Sequence, residues 1–163
     1  MCALRLSTGI RNNLLQGTGG IAGLLNEGVM DIYTGTMPAS ADAAETGTLL
    51  VRVSVASGLA GSSGTGGGTA GTGVGTNGLK FGTAANGSIT KSADVWSGTG
   101  KANGESGWWR FYATQVLKGT TGTAIRMDGN CGVSGADLNM SDLTVASDAT
   151  ITIDTFSVTL PAY

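Results

Sequence analysis

The sequence predicts a mainly β protein: an antiparallel β-sandwich, jelly-roll-like, with a short N-terminal helical segment and a long Gly-rich loop. Three observations carry this reading. Residues 48–56 alternate strictly, with Leu49, Val51, Val53 and Val55 on one face and Leu50, Arg52, Ser54 and Ala56 on the other, the period of a half-buried strand. Glycine makes up 29 of the 163 residues, roughly two and a half times the usual ~7%. Four of these glycines sit in dipeptides that accept positive φ in tight turns, Asn77-Gly78, Asn86-Gly87, Asn103-Gly104 and Asp128-Gly129. No long crossover helix punctuates the strands, which excludes a parallel α/β sheet. The expected organisation is a helical segment over 1–28 and a sandwich over 29–163, with the Gly-rich loop at 57–78.

Within the first segment, Leu6, Ile10 and Leu14 fall at i, i+4 and i+8 and stack on one helix face, with Ser7 or Thr8 as the cap. Gly17–Gly20 interrupts the pattern, and Ile21, Leu24 and Leu25 repeat helical spacing over barely two turns. Both pieces are too short to persist alone and must pack on something else.

From Val29 the pattern turns to β. Short strands are expected at 29–33, 79–81, 88–90, 124–127 and 143–145, besides 48–56. Residues 108–116 alternate with aromatics of both parities, Trp109 and Phe111 against Trp108 and Tyr112, so both faces of that strand meet protein, either in the middle of a sheet or at an interface. Near the end, Ile151 and Ile153 share one parity while Phe156, Val158 and Leu160 share the other. A bulge or a strand that changes sheets at Asp154–Thr155 accounts for the switch.

Composition excludes much chemistry. The chain has no His, which removes Ser-His-Asp and Cys-His pairs and His-ligated zinc. Nine basic residues are scattered singly against eleven acidic ones, so no basic footprint for nucleic acid is present. No apolar run approaches a membrane span and no signal-peptide pattern opens the chain, from which a soluble protein without an export signal is expected. Cys2 and Cys131 allow one bridge; two free, buried thiols in a reducing cytosol is the simpler reading.

The candidate motifs are weak. Gly66, Gly68 and Gly71 satisfy G-x-G-x-x-G, but a Gly-rich run does so by chance and no βαβ unit surrounds it. Asp128, Asn130 and Asp137 offer oxygen ligands for Ca²⁺ in a Gly-rich loop, without EF-hand spacing; capping Asx turns explain them more simply. Asp94 and Glu105 flank Trp96, but no sequence spacing fixes the separation a glycosidase pair needs. Neither cofactor, metal nor small-molecule substrate is expected. Trp96, Trp108, Trp109 and Phe111 read as core or subunit-interface aromatics, with stacking on sugar rings as the alternative. With Leu6, Ile10, Leu14 and the loop glycines Gly66, Gly67 and Gly68, they make up the candidate interface.

LSTGIRNNLL at 6–15, IYTGTMPASADAAETGTLL at 32–50, VWSGTG, GWWRFY, TAIRMDG, SGADLNMS and TIDTFSVTLPA span nearly the whole chain outside 57–78. Through these blocks the chain resembles a family of small virion structural proteins of tailed bacteriophages. The resemblance implies a non-enzymatic, multi-copy virion protein, assembled in the host bacterial cytoplasm. A capsid decoration or cement protein fits best: a homo-oligomer, with a trimer favoured, that contacts the major capsid protein or other virion proteins. The alternatives are a tail, neck or baseplate subunit, or a glycan- or receptor-binding module using the tryptophans.

Overall fold

The computed structural model of the chain describes residues 4–17, 20–58, 77–113 and 116–160. These form a β-rich structure of antiparallel sheets with two short helices. The elements run β1 (Arg5–Leu6), α1 (Thr8–Leu15), α2 (Ile21–Leu25), β2 (Val29–Thr34), β3 (Leu49–Val55), β4 (Ser88–Thr90) and β5 (Trp96–Thr99). Then follow β6 (Gly104–Tyr112), β7 (Arg126–Gly132), β8 (Leu138–Asn139), β9 (Thr144–Val145), β10 (Thr150–Ile153) and β11 (Ser157–Thr159). The main sheet follows the path β1-β7-β6-β2-β3-β5-β10, with β8 added parallel to β7 and β9 added to β6; β4 and β11 make a separate two-stranded ribbon.

The helical segment is not a separate unit. Arg5 and Leu6 form a strand that pairs with Asp128 and Met127, and Ile10, Ile21 and Leu25 join the same core cluster as the sheet residues. Ser7 fastens the two. Its Oγ accepts from the N–H of Ile10 at 3.2 Å, capping α1, accepts from the N–H of Arg126 at 3.0 Å and donates to the Ala124 carbonyl at 2.7 Å. One hydroxyl thus serves as helix cap and as a bond to β7.

The aromatic strand is central. β6 lies between β7 and β2, begins four residues earlier than its alternation indicated, and buries both faces. The chain leaves β10, paired with β5, and enters β11, paired with β4, so the parity switch at Asp154–Thr155 is a change of sheet. At Asn86-Gly87 both φ values are positive, 52° and 75°, and Ala85 and Ser88 exchange backbone hydrogen bonds across them, as a type I′ turn requires.

Of the four dipeptides expected to adopt positive φ, only Asn86-Gly87 does, and Gly104 begins β6; two further expectations are corrected. Residues 79–81 do not form a strand; Leu79 and Phe81 each make an isolated bridge, to Gly28 and Lys91. Asp128-Gly129 is not a turn but the middle of β7, which runs to Gly132 rather than ending at 127. Packing overrides local preference there. A Cβ on Gly129 would stand 2.4 Å from the Trp109 ring, so glycine is what lets the indole lie across the neighbouring strand.

Candidate functional site

Strand alternation sorts β1, β7, β6, β2 and β3 into two faces. On one, a row of cross-strand neighbours reads Leu6, Met127, Phe111, Met30, Val53, all within the main hydrophobic cluster or packed on it. One residue along, on the opposite face, the row reads Arg5, Asp128, Arg110, Asp31, Arg52. The charges alternate strand by strand, which is the favourable order for residues directly opposite one another.

Two bidentate pairs anchor the row. Arg110 donates Nε and Nη2 to Asp128, both at 2.7 Å, and Arg52 donates Nε and Nη2 to Asp31 at 2.6 and 2.7 Å. Parallel fork-to-carboxylate bonds of this kind are the strong geometry for an ion pair. Arg110, Asp128 and Asp31 are fully buried, so each charge depends on its partner. Aromatic rings fill the flanking rows: Tyr33 stacks on Trp108 with centroids 4.6 Å apart, the Arg110 guanidinium lies 5.3 Å from the Trp108 ring centre, and Arg126 lies 5.7 Å from that of Tyr112.

The connection between β2 and β3, residues 35–48, covers this face. Arg110 donates to the Ala43 carbonyl at 2.9 Å and to Glu45 at 3.1 Å, Arg126 reaches the Ala41 carbonyl, and Arg5 donates to the Pro38 carbonyl. Glu45 also accepts from Tyr112 at 2.7 Å and from the N–H of Gly119 at 3.0 Å. Burial opposes its charge, but the Gly119 N–H, the Tyr112 hydroxyl and Arg110 outweigh burial and hold Glu45 below its ordinary range. Burial raises Asp128 against the pull of Arg110. Tyr33 and Tyr112 are pushed well above 10 by burial and nearby carboxylates and stay protonated donors. The polar face is an internal network in which the buried Arg126 Nε has no hydrogen-bond partner among the described residues.

The residues singled out from sequence divide accordingly. Trp96, Trp108, Trp109 and Phe111 have no exposed area within the chain itself, so they are core and are not available to a neighbouring subunit or a sugar. Ile10 is buried with them, and Leu6 packs against the same cluster. Leu14 instead lines an apolar groove. Gly66, Gly67, Gly68 and Cys2 lie outside the described residues. Asp128 is committed to Arg110, and the Asp137 carboxylate accepts from the N–H of Asn130, which is the capping role rather than Ca²⁺ ligation. Among the described residues no group of three or more His, Cys, Asp or Glu is placed to hold a metal. Burial pushes the Cys131 thiol up to about 12, leaving it unreactive. Reading motifs did not find Asp31, Glu45, Arg52 and Arg110; for Asp31, Arg52 and Arg110 the signal was a charged residue placed mid-strand at the parity opposite the apolar set, whereas Glu45, in the β2–β3 connection, carried none.

Two surface features remain. The apolar groove, about 260 Å³, lies between the helices and the β4–β11 ribbon and is lined by Leu14, Ile21, Ala84, Ile89, Val158 and Leu160 among others, with no charged side chain among its described lining residues. A polar trough runs along residues 150–157, with hollows of about 430 and 540 Å³.

Fold and site together define a β-rich protein with an internal charge row and, among the described residues, an apolar groove and a polar trough. No protein-family model, curated protein or solved structure matches the chain. No helix of the described residues is long and apolar enough to cross a membrane.

Proposed function

We propose that the chain is a non-enzymatic structural subunit of a tailed-bacteriophage virion, a capsid decoration or cement protein that acts through repeated subunit contacts. In this reading it forms a homo-oligomer, favoured as a trimer, and binds the major capsid protein. The main sheet and the β4–β11 ribbon are the two layers of a jelly-roll-like sandwich.

The supporting observation is the uncharged apolar groove beside α1. Leu160, at its edge, is 54% exposed, and Leu15, next to the lining residue Leu14, is 86% exposed. Large apolar side chains clustered at a hollow mark contact surface more than scattered ones do. The buried acids of the charge row already hold arginines, so they serve rigidity in this reading, as a shell component needs.

The decisive measurement is the copy number of this protein against the major capsid protein on purified particles. A number comparable to the capsid protein supports decoration. A number matching one tail or baseplate ring moves the protein there, and absence from particles overturns the reading. Leu15→Asp with Leu160→Asp should lower occupancy on the particle while the free subunit stays folded.

A further inference from the structure

We propose that the trough along β10 receives an extended segment of a partner protein carrying Lys or Arg, which adds to the main sheet as one more strand. This stands apart from the virion reading and from the apolar groove.

Among the described residues the sheet ends at β10, which pairs with β5 on one side. Backbone alternation shows what the other side offers. The Ala56 N–H bonds to the Val95 carbonyl, and in the same β3–β5 register Ser54 stands opposite Ser97. Ser97 therefore gives its backbone groups to β3, while Trp96 and Gly98 give theirs to Ile153 and Ile151 of β10. Thr150 and Thr152 turn their N–H and C=O away from the sheet, into the trough.

The trough has the form a strand needs. Residues 150–155 make one wall, and residues 139–142 with Thr144 make the other. Asn139, Asp154 and Thr155 also line the second hollow, which continues past residues 156–157 opposite residues 90–93. The eight residues 150–157 would span roughly 26 Å if fully extended. The wall at 139–142 follows directly from β8, the short strand added to β7. The edge also lacks the usual blockers: Thr150-Ile151-Thr152-Ile153 is β-branched throughout, with no Lys, Pro or Gly.

Charge selects the occupant. Asp137, Asp142 and Asp154 line the trough against Lys91, whose ammonium is engaged by the Ser92 and Asp94 carbonyls. A second copy of β10 fits poorly, since it brings its own Asp148 and Asp154 to an already acidic trough, directly opposite one another in the register about Ile151. A basic extended segment satisfies both the open backbone groups and the acidic walls.

The test uses the full chain and two synthetic peptides of about eight residues with the same alternating Val/Thr sequence, one bearing Lys at both ends and the other Glu. The Lys peptide should slow amide exchange at Thr150 and Thr152 and bind at least about tenfold more tightly than the Glu peptide. Asp154→Lys should reverse that preference, and Thr152→Pro should abolish binding with the near-ultraviolet tryptophan signal unchanged. Should Thr152→Pro fail to fold, the exchange data and Asp154→Lys decide alone. Equal binding of the two peptides, no slowing at 150–153 at saturating peptide, or slowing that depends on protein concentration without peptide would each overturn the proposal, the last in favour of a second copy.

Discussion

Two rows of side chains, one residue apart on the same five strands, solve burial in opposite ways. Leu6, Met127, Phe111, Met30 and Val53 exclude water by shape and area, each gaining with little regard to its exact neighbour. Arg5, Asp128, Arg110, Asp31 and Arg52 gain only in pairs, because a buried charge without its counter-charge costs several kcal/mol. The apolar row therefore supplies stability and tolerates variation. The charged row adds little net energy but fixes which strand lies beside which, since a one-residue slip would separate every pair.

The largest expected effects test that contrast directly. Phe111→Ala should cost about 3–5 kcal/mol in denaturant unfolding, and Arg110→Ala about the same because it strands the buried Asp128. The double change Arg110→Met with Asp128→Leu should recover most of that loss. If the double variant is as unstable as the single one, the row is not working as a set of pairs.

Gly129→Ala comes next, at about 1–3 kcal/mol, since the added methyl must displace the Trp109 ring; thermal unfolding would read it. Acid should distinguish the faces as well. Glu45 is held below its ordinary 4.5, so its contribution is present above that value and is lost as pH falls below it, through the lower folded-state value. Glu45→Gln should flatten this part of the stability–pH curve, whereas Phe111→Ala should leave its slope unchanged. The smallest effect belongs to the exposed pair Lys80–Glu27, 3.3 Å apart with both side chains about half exposed: Lys80→Ala should shift stability by less than about 0.5 kcal/mol.

The alternation at Leu49–Val55, the cap at Ser7, the Asn86-Gly87 turn and the change of sheet after Ile153 were legible in the sequence because each depends on neighbours in the chain. Other features were not, because their causes are distant. Gly129 lies within a strand on account of Trp109, twenty residues earlier. The strand Arg5–Leu6 looked helical until Met127 and Asp128 stood beside it. The charge row joins residues that no local spacing connects. The tryptophans, expected in a core or at a subunit interface, are buried within the chain's own interior.

The bonds of Ser7 and Arg5 to residues 124–128 also bear on the order of folding. The chain is synthesised about 120 residues beyond this segment before its partners exist, so the charge row and the bonds of Ser7 to Ala124 and Arg126 cannot be completed during most of translation. Contacts of such long separation slow folding and leave Leu6, Ile10 and Leu14 uncovered on the nascent chain, where a chaperone would find them. A chain of this design should accumulate late-folding intermediates, and Ser7 would be among the last residues to find its place.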